Sequence, residues 1–257
     1  MRFTELRYLW YTDLYRHYGR ADCRSFLKML LVYWEPPGAK YAFLLRLCRF
    51  FMLARPRALA APFYVISRIV LKHYEYKFHI AIAPTTQIGA GLYIGHFGDI
   101  WVNPQAIIGA NCNISQGVTI GQASRGKRKG YPVIGDNVFI GPGAKIIGRV
   151  QIGDNVAIGA NCVVTRDIPN NAVVVGVPGR VISFAGSTDY IINDDYDPPA
   201  PRPARAQVAD TGSDAVILAN GRGRAVPGER LDDPIPIAAT PPPVATLDRR
   251  QALANRQ

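Results

Sequence analysis

The chain is 257 residues long and 48% hydrophobic by count, with a net charge of +11. That length holds one large domain or two small ones, with enough apolar residues for a packed core. The longest apolar runs, such as "ALAAPFYVIS" and "FLKMLLVYW", are too short to span a bilayer. The N-terminus lacks the apolar segment of an export signal, and the four cysteines show no metal-ligand or redox spacing. A cytoplasmic protein with reduced thiols and no bound metal is the expectation.

Residues 1–80 carry 14 Lys and Arg against 5 Asp and Glu, most of the excess charge. A basic, aromatic-rich stretch suits nucleic acid, an anionic membrane surface or phosphate-bearing substrates, and composition does not choose among them. The cations are dispersed among apolar residues without a recognised nucleic-acid motif, so nucleic acid is not expected as a partner. The pattern predicts three or four short helices. One runs from a cap at Asp22 through Phe26, Leu27, Leu30, Leu31 and Trp34. "EPPG" breaks the chain, "KYAFLLRLCRFFMLA" restarts it, and Pro56 and Pro62 break it again before "FYVISRIVLKHYEY".

From residue 82 a branched aliphatic residue recurs every six positions. The series runs Ile82, Ile88, Ile94 and Ile100; then Ile108, Ile114 and Ile120; then Ile134, Ile140, Ile146, Ile152, Ile158 and Val164. Glycine commonly follows it. This is the sequence form of a parallel β-helix of hexapeptide coils, with the aliphatic inward and Gly permitting the turn. The fourth residue after each aliphatic, Cys112, Ala144 and Cys162 among them, is small or apolar and is expected inward as well. The phase slips twice: two extra residues between Ile100 and Ile108, and the excursion "QASRGKRKGYPV" before Ile134. Insertions in a solenoid project from one face and often bind. His96 stands where neighbouring repeats carry a small or polar residue, two residues after an inward aliphatic, so its imidazole leaves the prism outward.

Beyond residue 185 the period fails. Residues 186–257 hold ten of the twenty prolines and two aromatics, too little apolar area to offset chain entropy. The predicted organisation is a helical region over 1–80, a β-helix over 81–185 and a disordered Pro-rich tail over 186–257.

The segments "IGAGLYIGH", "IIGANCNISQGVTIG", "GYPVIGDNVFIGPGAKIIG" and "VQIGDNVAIGANCVVTRDIPNNAVVVGVPGRVI" resemble the serine acetyltransferase branch of the hexapeptide-repeat acyltransferases. The resemblance implies a mainly β, left-handed parallel β-helix, against the usual right-handed crossover. It further implies a homotrimer with acetyl-coenzyme A as co-substrate in the groove between neighbours, and no tightly bound cofactor. His96 falls at the position of the family's catalytic base. Pro142, Gly143, Ala144 and Lys145 follow the family's GAK pattern, and Gly121, Gly159 and Ala160 complete a small-residue lining for the pantetheine arm. Lys127 and Arg128, with Arg125 and Lys129, are placed to meet nucleotide phosphates; a solvated basic loop is the plain alternative.

Three family positions differ. Ala81 stands where the family orients its histidine with an aspartate, Gly95 replaces an acidic residue, and Gly130 and Tyr131 replace an Arg-His pair. The acceptor side is then left to Tyr131 and Asp99, with Asp99 a stand-in for the missing orienting carboxylate. Without carboxylates for an ammonium group, a saccharide hydroxyl in polysaccharide biosynthesis is preferred over L-serine. The entry "YVISRIVLKHYEYKFHIAIAPTTQIG" is similar to exopolysaccharide acetyltransferases, and a basic, apolar lead helix suits a peripheral place at an inner membrane face. A serine O-acetyltransferase and a catalytically silent trimeric scaffold stand as the alternatives.

Overall fold

The computed structural model describes residues 1–19 and 36–196. The helix expected over 22–34 and most of the Pro-rich tail lie outside the described residues. Three helices precede the repeat: α1 (Phe3–Tyr18), α2 (Pro37–Leu53) and α3 (Arg57–Phe78). Proline acts differently from its expected breaker role at two points. Pro37 opens α2 at a position where a missing N–H costs nothing, so "EPPG" starts a helix as well as interrupting the chain. Pro62 sits inside α3, early enough that only one backbone bond is lost. Among the described residues no helix is long and apolar enough to cross a membrane.

The repeat folds as a left-handed parallel β-helix, a three-sided prism whose sheets are built by successive coils. The first sheet stacks Ile80–Ile82, Ile100–Val102, Thr119–Gly121, Lys145–Ile147 and Val163–Val164. The second stacks 87–88, 107–108, 133–134 and 151–152; the third stacks 113–114, 139–140, 157–158 and 173–175, with Arg180–Ser183 antiparallel at its edge. One residue of each strand and the residue four places on fill the interior, and Leu92, Cys112, Val118, Val138, Ala144, Val150, Val156 and Cys162 are all inaccessible. Burial pushes the Cys112 thiol up to about 12, so it behaves as a small hydrophobe.

The register moves the first phase slip. Ile82 pairs with Val102 and Val102 with Ile120, so Val102, six residues before Ile108, carries the inward beat. The two extra residues therefore lie between Ile94 and Val102, beside His96, and not between Ile100 and Ile108.

The corner between the second and third sheets explains the glycines. The positive φ of this turn is taken by Asn111, Asn137, Asn155 and Asn171, at 54° to 61°. Their amides form a ladder at 2.9, 3.0 and 3.1 Å down the prism. Gly109 and Gly135 supply room, not φ: a Cβ on either would lie 2.3 Å from a carbonyl of the next coil.

The helices close one end of the prism through buried polar groups. Arg46 of α2 donates to Asp13 of α1 at 2.9 and 3.2 Å, and to the carbonyls of Ile88 and Gly89 at 2.8 and 2.6 Å. Asp13 also accepts the Leu92 N–H at 2.8 Å. The open turn of the first coil is thus satisfied by one ion pair, whose side chains are 2% and 0% exposed.

Residues 187–196 do not leave the prism where the tail was expected to begin. They lie along the third sheet: Tyr190 stacks on Phe139 at 4.4 Å and its carbonyl accepts the Asn113 amide at 2.9 Å. The Arg16 guanidinium donates to the Ile192 carbonyl and to Asn113, tying α1, sheet and C-terminal strap together. His17 lies against Tyr93, ring centroids 4.4 Å apart and tilted by 35°, with its Nε2 buried and unpartnered. Burial, then the neighbouring Arg16 charge, pushes its imidazole down to about 4.

Two predictions follow from this end cap. Removing either partner of the Asp13–Arg46 pair leaves a buried group orphaned, so Asp13→Ala and Arg46→Met each lower unfolding free energy by about 3–5 kcal/mol. The double variant falls short of their sum, because one removal already orphans the other side; denaturant titration measures all three. For His17, both states are neutral above about pH 6.5. Below that the unfolded chain binds a proton that the folded one refuses. Stability therefore falls by about 2–3 kcal/mol between about pH 6.5 and about pH 4. His17→Phe keeps the ring contact and removes that part of the pH dependence in unfolding titrations at either end of the window.

Candidate active site

The corner leading from the third sheet to the first carries the candidate base. Its rungs are backbone bonds: Gly117 N–H to the Gly98 carbonyl at 2.8 Å, Gly143 to Gln116 at 2.9 Å, and Asn161 to Pro142 at 2.8 Å. Gly98 therefore stacks above Gln116 and Pro142, and His96 and Phe97 are the residues by which the first coil exceeds those below. A stacked coil cannot store extra residues inside, so they bulge outward. His96 is exposed, and among the described residues no hydrogen bond reaches its imidazole. Phe97 packs toward Phe78 of α3, with ring centroids 5.8 Å apart.

Below the bulge the corner is rich in small residues. Gly117 and Gly143 take positive φ of 73° and 74°, where a side chain is strained, and a Cβ on Gly143 would lie 2.1 Å from Asn161. Pro142, Gly143, Gly159 and Ala160 thus line a smooth strip beneath His96. Lys145 lies on the first sheet beside it and braces the strip, its Nζ donating to the Gly117 carbonyl at 2.5 Å and to Thr119 Oγ1 at 3.1 Å. Ala144 is a correction: its side chain is wholly inside the prism and its N–H and carbonyl are bonded to Gly141 and Thr119, so it presents nothing to a ligand.

Gly121, Lys127, Arg128 and Tyr131 belong to the opposite edge of the first sheet. The excursion over 122–132 is a small hairpin closed by Ala123 and Gly130, bonded both ways at 3.1 and 3.0 Å. Arg128 is engaged within it, donating to Asp167 at 2.7 Å and to the Arg149 carbonyl at 3.2 Å. Partial burial works against the Asp167 charge, but the Gln151 N–H and Arg128 hold its carboxyl below the usual range. Lys127 is the residue of this pair that keeps its ammonium open. A single chain therefore does not bring Tyr131 to His96.

Asp99 shares the His96 bulge, at φ 51°. Its carboxylate comes within 3.8 Å of His79 Nδ1, and among the described residues it makes no hydrogen bond to His96. Ala81 stands in register with Trp101, whose indole is 60% exposed. This corner thus presents a methyl group beside an open aromatic face. Trp101 was not singled out in the sequence; it lies between inward Ile100 and Val102, the residue six before Ile108, and so points outward.

Residues 131–166 match the family described as bacterial transferase hexapeptide (six repeats). The relatives are serine acetyltransferases. That of Synechococcus elongatus is 44% identical over 107 residues, which cover 42% of this chain and 44% of the relative. The chain thus spans less than half the length of that relative. Among solved structures, Neisseria gonorrhoeae serine acetyltransferase in complex with serine is 29% identical with a TM-score of 0.56, covering 70% of each chain. Serine acetyltransferase from Brucella abortus in complex with coenzyme A is 26% identical with a TM-score of 0.57, covering 70% of this chain and 68% of that one. These matches overturn the preference for a saccharide acceptor in polysaccharide biosynthesis, which rested on missing carboxylates and on the N-terminal likeness. They lend no support to the likeness with exopolysaccharide acetyltransferases.

Because His96 is exposed on a bulge outside the stacked core, His96→Ala changes unfolding free energy by less than about 0.5 kcal/mol. An unchanged thermal midpoint checks this; a drop of several degrees gives the imidazole a structural role instead.

Proposed function

We propose that the chain is an acetyl-coenzyme A-dependent O-acetyltransferase whose acceptor is L-serine, with His96 as general base. The observation that carries the reading is one exposed imidazole raised on a two-residue bulge above a strip of glycine, proline and alanine. The neighbours solved with serine and with coenzyme A supply the two substrates by likeness.

Neutral His96 accepts the proton as the serine hydroxyl attacks the thioester carbonyl. The tetrahedral oxyanion collapses, the C–S bond breaks, and the thiolate of coenzyme A takes the proton back from the imidazolium. O-acetylserine and free coenzyme A result, with no covalent enzyme intermediate. Pro142, Gly143, Gly159 and Ala160 let an extended pantetheine arm lie against backbone, and Lys127 meets the nucleotide phosphates. Arg128 orders the loop through Asp167. Tyr131 reaches His96 only from another copy of the chain, which fits a homotrimer with its sites between copies. With Ala81 and Gly95 in place of carboxylates, the serine ammonium is held weakly and KM for serine is high.

The absence of a carboxylate on His96 among the described residues favours one other reading, a silent trimeric scaffold. Thiol release from acetyl-coenzyme A with L-serine, measured beside His96→Ala, separates the two. The expected outcome is saturable turnover that falls about 10²–10⁴-fold in the variant. Failure to bind coenzyme A leaves the scaffold, and binding without turnover of serine removes this acceptor.

A further inference from the structure

Helix α3 has two apolar faces, and the described residues cover only one. Ala60, Ser67, Leu71, Glu75 and Phe78 are buried against the rest of the molecule. On other sides Leu59, Phe63, Ile66 and Ile69 are 71%, 57%, 60% and 65% exposed. Their spacing of four, three and three places them along one stripe. An aromatic run extends the stripe over all three helices: Phe63 stacks on Phe51 at 5.4 Å, Phe51 meets Phe50 at 5.4 Å, and Phe50 meets Phe3 at 6.2 Å. Half-exposed Phe3 and Leu53 border it.

The charge around this patch is mainly positive, with exposed Glu5 near Phe3 and Asp99 beside His79 as acidic neighbours. From residue 36 to residue 98 the chain contains eight Lys and Arg and a single acidic residue, Glu75. That carboxylate is buried and already paired, with Arg68 at 2.9 Å and Lys72 at 2.8 Å. Exposed Arg55, Arg57 and Lys77 flank the apolar stripe. Near its end lies exposed Tyr76, its ring 4.7 Å from the Lys72 ammonium, an amphipathic pair of the kind found at a polar–apolar boundary.

We propose that this face of α3 docks on an anionic lipid bilayer, lying in the headgroup region with Leu59, Phe63, Ile66 and Ile69 turned into the acyl boundary. Charge decides the occupant. A second copy meeting the same face about a twofold axis would bring mainly cations onto cations, whereas anionic headgroups neutralise the flanks while the stripe is desolvated. The inference is independent of the acceptor and of catalysis.

The full chain sedimented with phosphatidylcholine vesicles, with and without phosphatidylserine, tests it. The expected result is pelleting with the phosphatidylserine vesicles, weakened by salt, and reduced about tenfold or more by Ile66→Glu with Ile69→Glu. Both side chains are exposed, so the variant keeps its fold, checked by circular dichroism. Failure to pellet, or equal pelleting without phosphatidylserine, overturns the proposal. So does a lower sedimentation mass in the variant, which would show that another copy of the chain covers the face.

Discussion

Every coil of the prism must sit on the coil beneath it at strand spacing, about 4.8 Å, and this stacking is the constraint on which the rest of the molecule depends. It selects Ile and Val for the interior. It forces glycine where backbones approach within reach of a Cβ, at Gly109 and Gly135, and it gives the positive-φ turn to asparagines whose side chains ladder along the same corner. It also dictates where chemistry can be placed. A coil has no slack, so an added residue can only be expelled outward. Both insertions flank the first sheet, the His96 bulge on one edge and the basic hairpin on the other.

A stack has ends, and an end exposes carbonyls and N–H groups that the next coil would have satisfied. The helical region supplies the missing partners. Arg46 takes the carbonyls of Ile88 and Gly89, and Asp13 takes the Leu92 N–H. The two side chains can be buried there because each neutralises the other. Arg16 performs a similar service for the third sheet, joining it to the strap at residues 187–196. Helices that close the stack in this way are held with one face inward, and among the described residues the outer face of α3 stays exposed.

The two halves of the candidate site differ in kind. The strip beneath His96 is made of backbone and small residues whose identity is already required by stacking, so it persists as long as the prism does. The acceptor side depends on individual charged side chains, and there Ala81 and Gly95 carry none. The comparisons reach serine acetyltransferases in spite of that difference. A missing carboxylate argues for weaker binding of an ammonium group, and it does not by itself argue for a different substrate.

The sequence by itself determined the prism, because its six-residue period reports directly on which residues face inward. It also determined the outward direction of His96 and the inert burial of Cys112 and Cys162, since both follow from position in the period. Tertiary structure alone decided what depends on neighbours distant in the chain. The register across the first sheet moved the phase slip to His96 and exposed Trp101. The separation of two corners put Tyr131 away from His96. The Asp13–Arg46 cap and the strap over the third sheet were invisible in a list of residues. Each joins side chains whose partners are chosen by which coil edge is left unsatisfied, a property of the assembled stack that no local spacing records.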